Sequence, residues 1–399
     1  MSGDVILDLS RLIARADRAT PTGIDRVELA YARHLLDVAP ERLRFSAMTP
    51  LGFVGALPKA AAAGYVEALE RLWAGEAVAA SAGRALPWLA AAEGDRGLRR
   101  GLRREARPNH LLLSHHHLDR PGAVRRVLAR TGARFTALVH DLIPIQLPEY
   151  NRPGQDAKHA VRMTTVAELA DTVIVNSDDT GAALRPFLER AGRSPPVVSA
   201  PLGVHAPVRR PAAPTGEGEA DFVIVSTIEP RKNHLLLFNV WRRLAAEAGG
   251  APVPRLHVIG RRGWHDEAML DVLERSTSLR PHLVEHGPLR DPEVERLVAG
   301  ARALLMPSFA EGYGLPVAEA LALGAPVLCS DLPALRAVGG EAPEYLDPLD
   351  GPAWLAAVRD YARPDSPRRA AQLARMADWR TPTWAAHFAR VDPYVLGEG

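Results

Sequence analysis

Short apolar runs alternate with longer mixed stretches along most of this chain. Val5-Ile6-Leu7-Asp8-Leu9, His110-Leu111-Leu112-Leu113-Ser114, Phe135-Thr136-Ala137-Leu138-Val139, Thr172-Val173-Ile174-Val175-Asn176 and the stretch from Val197 to Val204 read as buried strands. Between them, apolar positions fall at helical spacing. Val27, Leu29, Ala30, Tyr31, His34, Leu35 and Leu36 form one such face. Ser177 stands where a helix N-cap is expected, because its hydroxyl can accept an otherwise unpaired amide. Residues 206–220 break the rhythm with Pro, Gly and Ala and read as a linker. The alternation then restarts with Phe222-Val223-Ile224-Val225-Ser226-Thr227-Ile228, Leu256-His257-Val258-Ile259-Gly260, a short strand and turn over Val284–Leu289, Ala303-Leu304-Leu305-Met306 and Pro326-Val327-Leu328-Cys329. Two rounds of strand–helix alternation predict an α/β chain with two parallel sheets. The boundaries are 1–205 for the first domain, 206–220 for the linker, 221–382 for the second domain and 383–399 for a closing helix. Residues 55–108 carry the weakest pattern; they are alanine-rich and read as helical.

Composition narrows the function classes. The length of 399 residues suits two domains, and a formal net charge of +2 creates no global field that demands nucleic acid. The one cysteine, Cys329, lies inside an apolar strand and reads as a small core residue. A disulfide framework is therefore excluded, which fits a reducing cytosol. Met1-Ser2-Gly3-Asp4 carries no secretory pattern, and no run reaches the ~20 apolar residues of a membrane span, so a cytoplasmic location is expected. One local concentration of charge changes this picture. Arg96, Arg99, Arg100, Arg103, Arg104 and Arg107 form a basic run. It reads either as a solvated surface or as a patch for anionic lipid headgroups or an anionic acceptor, with peripheral contact at the inner membrane surface. Nucleic acid is not expected there, because no aromatics are interleaved.

Candidate chemistry concentrates at strand ends. Ser308-Phe309-Ala310-Glu311-Gly312-Tyr313-Gly314-Leu315-Pro316-Val317-Ala318-Glu319-Ala320 follows an apolar strand and opens a helix with Pro316 near its start. Glu311 stands at the carboxyl end of the strand, and Glu319 one turn into the helix. Open α/β sheets bind ligands at that edge. Two carboxylates and a glycine loop of backbone N–H donors suit a ligand with hydroxyls and phosphates. Glu229-Pro230-Arg231-Lys232-Asn233 follows another strand, with Asn233 as the expected N-cap of the next helix, so Arg231 and Lys232 flank a natural anion site. In the first half, Thr22-Gly23-Ile24-Asp25-Arg26 is a strand-to-helix glycine turn where backbone amides can approach an anion. His140-Asp141 ends a strand, and His115-His116-His117 reads as a polar rim of a cleft rather than a metal site. Trp354, Trp379 and Trp384 read as packing.

Taken together, Lys232 after a strand, Glu311 and Glu319 with seven residues between them, and Gly312-Tyr313-Gly314-Leu315-Pro316 within that interval resemble the retaining glycosyltransferases of family 4. The likeness extends to Thr22–Arg26, His140-Asp141, Gly203 and Gly324-Ala325-Pro326-Val327. The resemblance implies the GT-B fold, two Rossmann-like domains facing across a cleft, with the final helix returning to the first domain. It implies a nucleotide sugar donor, GDP- or UDP-linked, held mainly by the second domain, and a saccharide or lipid-linked acceptor on the first. It assigns Glu319 to the ribose, Glu311 to the transferred sugar, amides of Gly312, Tyr313, Gly314 and Leu315 to the diphosphate, and Leu289 to the base. Gly23 joins them from the first domain, and His140 contacts the sugar without acting as a general base. Lys232 and Arg231 stabilise the leaving diphosphate, so no cofactor and no metal is implied. Thr227 departs from the family, which often has an arginine there; Arg231 is placed to supply that charge. Glu229-Pro230-Arg231-Lys232-Asn233 resembles a subgroup acting on surface polysaccharides, often with GDP-mannose. The competing readings are an inactive GT-B binding or scaffold protein and a sugar-nucleotide epimerase.

Overall fold

The computed structural model describes residues 3–16, 18, 20–76, 83–103, 106–204, 221–264 and 267–397, apart from the side chain of Asp95. The expected linker at 206–220 and Arg104 lie outside the described residues. The chain divides into two units. One holds Met1–Gln146, Gly154–Leu202 and Trp384–Gly399; the other holds Leu147–Pro153 and Gly203–Thr383.

Among the described residues, the first unit is built on seven strands: β1 Val5–Asp8, β2 Leu43–Met48, β3 Val54–Leu57, β4 Asn109–Leu112, β5 Arg134–Val139, β6 Thr172–Val175 and β7 Val197–Ser199. Their order is β3-β2-β1-β4-β5-β6-β7. Only the edge strand β3 runs antiparallel, pairing Phe45 with Leu57 and Met48 with Val54. The central strands β1 and β4 are buried along their whole length, including the polar side chains of Asp8, Asn109 and His110. Strand order reverses between β1 and β4, and that reversal opens a crevice at the carboxyl ends of these strands. The helix Gly23–Val38 begins with a capping box: Thr22 Oγ1 accepts from the Asp25 amide, and Asp25 Oδ2 accepts from the Thr22 amide at 2.8 Å. Its buried face is Asp25, Val27, Glu28, Ala30, Tyr31, Ala32 and Leu35, so two carboxylates share a face that the sequence pattern marks as apolar, and Leu29 sits outside it. The helix Trp384–Asp392 packs on this one. Tyr31 Oη lies 2.8 Å from His387 Nε2, the His34 ring stacks on Phe388, and His34 Nε2 is 3.0 Å from Asp392.

The second unit is built on β8 Asp221–Val225, β9 Arg255–Ile259, β10 Leu283–Gly287, β11 Ala303–Met306, β12 Val327–Ser330 and β13 Glu344–Leu346, in the order β10-β9-β8-β11-β12-β13 and all parallel. This is the doubly wound order, with its switch point between β8 and β11. One face is covered by the helices His234–Glu247 and Gly351–Ala362, whose Trp241, Phe238, Trp354 and Tyr361 join Phe222, Ile224 and Leu305 in the main core. Trp354 is fully buried and its indole donates to the Asp347 carbonyl at 2.9 Å, so this tryptophan packs rather than recognises. Cys329 is buried in β12, in keeping with a core role.

Candidate functional site

The second sheet's switch point gathers the charged residues. After β8 the chain runs through Ser226, Thr227 and Ile228 into a single 3-10 turn, Pro230–Lys232. The exit of β9 presses closely against it. A Cβ on Gly260 would stand 1.9 Å from the Ser226 carbonyl oxygen, so only glycine permits this approach. Asn233 does not cap the following helix with its side chain. Its backbone is left-handed, at φ 55°, and its amide donates to the carbonyls of Pro307 at 3.1 Å and Pro348 at 2.9 Å. The reason is geometric: Asn tolerates this conformation, and the side chain is then aimed at the loop leaving β11 instead of at its own helix. Asn233 thus ties the Arg231-Lys232 turn to the Glu311 loop. The Phe309 amide, donating to the Arg231 carbonyl at 2.9 Å, adds a second tie.

The cluster is held by charge. Lys232 Nζ donates to Glu311 Oε1 at 2.5 Å, and Arg231 Nη1 lies 3.2 Å from Glu311 Oε2. Arg231 also donates to the Ala310 carbonyl at 2.5 Å and to Glu229 Oε1 at 2.8 Å. Trp264 Nε1 donates to the other Glu229 oxygen at 3.2 Å. Burial disfavours the Glu311 anion, but Lys232 and Arg231 outweigh it and hold the carboxyl at about 2. Lys232 is pushed down from its ordinary value, by burial first and by Arg231 second, with Glu311 opposing. The neighbouring His234 is buried and lowered to about 3, so it adds no positive charge at neutral pH. Two cations therefore stand against two carboxylates.

The loop after β11 needs its glycine. Gly314 has φ 104°, and a Cβ there would meet Leu335 Cδ2 at 2.5 Å. Gly314 precedes the helix Leu315–Ala322, whose first amides have no acceptor within the helix and point outward from its positive end. Gly312 and Leu315 are half-buried, Tyr313 is buried, and Glu319 lies one turn into the helix, half-buried. Thr227 packs against Gly263, and Leu289 follows the left-handed Gly287 at the end of β10.

Gly23 and His140 belong to the first unit. His140 is buried; its Nε2 lies 2.8 Å from the Leu113 carbonyl, so Nε2 carries the hydrogen and Nδ1 is left as an acceptor. Burial lowers this imidazole to about 4, which keeps it neutral. Its amide donates to His115 Nε2 at 3.2 Å. His116 and His117 are likewise held at about 4, by burial first. Around the β1 exit the sequence reading missed a second cluster. Arg11 Nε donates to Asp25 Oδ1 at 2.7 Å, Asp8 accepts from the Ser10 amide at 2.9 Å, and Glu28 is buried beside them. Burial, then partly opposed by Arg11, raises the Glu28 carboxyl to about 8. The available signal was the spacing of Asp25 and Glu28, which puts both on the face of Val27 and Tyr31. Glu229 and Trp264 were missed in the second unit, because their pairing spans 35 residues.

Residues 208–342 match the family described as Glycosyl transferases group 1. The matched residues lie within the second unit. The Arg231, Lys232, Glu311 and Glu319 positions all fall inside them. The chain is similar to the O-antigen chain mannosyltransferase B of Escherichia coli, at 35% identity over 161 residues, covering 40% of this chain and 41% of that protein. It is similar to the serotype-specific mannosyltransferase WbdA of Escherichia coli at 26% identity over 261 residues, 59% of this chain and 31% of that one. The chain thus spans less than half the length of these curated relatives. The solved structure of Anabaena HepE in complex with UDP aligns over 99% of this chain and 97% of that one, with a TM-score of 0.64 at 15% identity. The fold is GT-B, built from two Rossmann-like domains of mainly parallel strands.

Proposed function

We propose that the chain is a retaining, metal-independent hexosyltransferase. It moves a hexose, with mannose as the first candidate, from a GDP- or UDP-linked sugar to a saccharide or lipid-linked saccharide in surface polysaccharide assembly. It works in the cytoplasm, in peripheral contact with the inner membrane surface. The observation that carries this reading is the Arg231–Lys232–Glu311 cluster at the switch point of a group 1 glycosyl transferase domain. The mannosyltransferase names of the relatives support the choice of sugar.

In the proposed reaction the bond between C1 of the hexose and the donor's phosphate oxygen breaks. An acceptor hydroxyl oxygen bonds to C1 on the same face, and its proton passes to the departing phosphate oxygen. Charge grows on the diphosphate as it leaves, and Lys232 and Arg231 meet that charge. Each such preorganised donor is worth roughly 3–4 kcal/mol of barrier. The amides of Gly312 to Leu315 add backbone donors. Glu311 is ionised far below neutral pH, so it accepts hydrogen bonds from sugar hydroxyls and has no proton to give. Glu319 clamps the ribose, Thr227 and Leu289 flank the base, and Gly23 approaches from the first unit's own loop. His140, neutral, offers Nδ1 to a sugar hydroxyl.

A thermal-shift screen of GDP-, UDP- and ADP-sugars identifies the donor, because a ligand of the folded state raises the melting temperature. Transfer to an isotope-labelled saccharide is then followed by mass, and the product's anomeric configuration by NMR. Retention with loss of turnover in Lys232→Met supports the reading. An inverted product refutes the mechanism. Donor binding without transfer to any acceptor marks a binding protein, and product formed without acceptor marks an epimerase.

A further inference from the structure

We propose that Trp264 and Glu229 form a brace that fixes the aim of Arg231, and that both are positioning residues of the transferase. The inference rests on the reaction proposed above and deepens it. Neither residue is assigned a contact with substrate.

Two strand extensions build the brace. Beyond the ends of β8 and β9 the two segments stay side by side. The Ser226 amide donates to the Ile259 carbonyl at 2.9 Å, the Ile228 amide to the Arg261 carbonyl at 3.0 Å, and the Gly263 amide to the Ile228 carbonyl at 3.0 Å. Ile228 bridges Arg262 in parallel register. A Cβ on Gly263 would stand 2.4 Å from the Ile228 carbonyl oxygen, so the close approach depends on glycine. Glu229 follows Ile228 and Trp264 follows Gly263, so this pairing delivers the one beside the other. Each carboxylate oxygen of Glu229 then has its own donor. Oε2 accepts from the Trp264 indole at 3.2 Å, and Oε1 accepts from Arg231 Nη2 at 2.8 Å.

Arg231 is thereby held from two sides. Nη1 is turned to the loop after β11, where it donates to the Ala310 carbonyl at 2.5 Å and lies 3.2 Å from Glu311 Oε2. Nη2 is turned to Glu229. The Arg231 and Glu229 side chains are 18% and 14% exposed, so water does not trade freely with either. A largely buried ion pair is weak evidence for stability. A guanidinium whose freedom is already lost before a substrate binds is, however, what preorganised stabilisation of a leaving diphosphate requires.

Glu229 has a second effect, which Trp264 lacks because it carries no charge. Lys232 faces Glu229, Arg231 and His234 on its own segment and Glu311 on the loop after β11. Burial and Arg231 push the ammonium down from its ordinary value, and Glu311 and then Glu229 oppose them. His234 is held neutral. Glu229 thus helps to keep Lys232 protonated.

The test is a double-mutant cycle on turnover of the full chain, with Trp264→Phe, Glu229→Gln and the double variant. Thermal melting checks folding, and kcat is taken per donor-binding site counted by calorimetry. Trp264→Phe should lower kcat several-fold and Glu229→Gln by roughly ten- to a hundredfold, both with a donor KM no higher than the parent's, because the loss falls on the transition state. Glutamine offers one acceptor oxygen to two donors, so its amide nitrogen must face either Arg231 or the indole. The double variant should therefore turn over at least as fast as Glu229→Gln, since removing the indole leaves the glutamine oxygen to Arg231. The alkaline limb of the kcat/KM pH profile should move to lower pH in Glu229→Gln and stay in place in Trp264→Phe. In a spectrum of isotope-labelled tryptophan, the indole N–H signal that is lost in Trp264→Phe should move in Glu229→Gln. Losses that multiply in the double variant, or a donor KM that rises while kcat holds, overturn the proposal. An alkaline limb that stays in place in Glu229→Gln refutes the effect of Glu229 on Lys232. An unmoved indole signal overturns the brace whether or not the chain transfers sugar. No transfer by the parent, with that signal moved, counts against the transferase reading and not against the brace.

Discussion

Glu311→Gln is the sharpest perturbation of the second unit. The carboxylate is 7% exposed and lies between Lys232 at 2.5 Å and Arg231 at 3.2 Å. Its carboxyl is held at about 2 against an ordinary value of 4.5. At about 1.36 kcal/mol per unit of pKa, that difference links to roughly 3 kcal/mol of folding stability, to within a factor of two. The sign follows from the depression. The contribution is fully present above pH 4.5, where the unfolded carboxyl is also ionised, and is lost as pH falls from there through 2. Glutamine keeps the shape and one acceptor but removes the charge, leaving Lys232 and Arg231 buried side by side. Urea unfolding at pH 7, read on the second unit's transition, should show a loss of about 3 kcal/mol. The gap between variant and parent should begin to close only below pH 4.5. A second readout separates structure from chemistry. Removing the anion releases both cations for a phosphate ligand, so free GDP or UDP should bind the variant more tightly while transfer falls by roughly a hundredfold or more. A stability loss under ~1 kcal/mol at pH 7, or a gap that stays constant down to pH 3, would falsify the charge assignment. Weaker nucleotide binding with unchanged stability would instead make Glu311 a nucleotide ligand rather than the counter-ion of Lys232.

Three further outcomes follow from the geometry. Gly314→Ala forces a side chain onto a φ of 104° and into Leu335, so it should cost roughly 1–3 kcal/mol and abolish the donor's thermal shift, read by differential scanning fluorimetry. Glu28, raised to about 8 by burial, contributes stability that is fully present below pH 4.5 and is lost as pH rises through 8; Glu28→Gln should remove a pH-dependent loss on the order of 4 kcal/mol between pH 5 and 9, measured by chemical denaturation. The His140 ring, held at about 4, should stay neutral with hydrogen on Nε2 from pH 6 to 8 by NMR, and the pH profile of turnover in that range should contain no step removed by His140→Asn.

The parts of the fold that were legible share one physical cause. Strands β1, β6, β11 and β12 are buried on both faces, so they survive in the sequence as runs of three or four apolar residues. Strand β2 was not read, because Leu43, Phe45 and Ala47 alternate with Arg44, Ser46 and Met48, and a six-residue alternation is easily lost beside an alanine-rich stretch. β3 carries Gly55 where the backbone of Ala90 comes close, a demand set by packing and invisible locally. The charged cluster of the second unit was legible for the opposite reason. Arg231, Lys232 and Glu311 each stand at a strand exit, where topology brings the ends of β8 and β11 together once the sheet order is known. Asn233 does stand at the N-cap position, but its side-chain partners, Pro307 and Pro348, lie 74 and 115 residues away and were invisible locally.

The two switch points differ in a way that the sequence did not reveal. Both follow a strand with a turn and a helix start, and both invite the reading of an anion seat. In the second unit that reading agrees with the electrostatics. Two cations share two carboxylates, so positive charge is already positioned at the strand ends. In the first unit the Gly23 turn stands above Asp8, Asp25 and Glu28, with Arg11 committed to Asp25 at 2.7 Å. The surrounding histidines His110, His115 and His140 are all pushed toward the neutral form, by burial first. A helix N-terminus contributes about half a positive charge at most. Glu28, raised to about 8, is largely protonated at neutral pH and Arg11 answers Asp25, so Asp8 alone opposes an anion there; the helix end does not outweigh it, and the turn offers a phosphate no net positive charge. A neutral ligand rich in hydroxyls meets no such penalty, since carboxylates and imidazole nitrogens accept its hydrogen bonds directly. The charges at each sheet edge, more than the shape of either loop, therefore distinguish the two switch points.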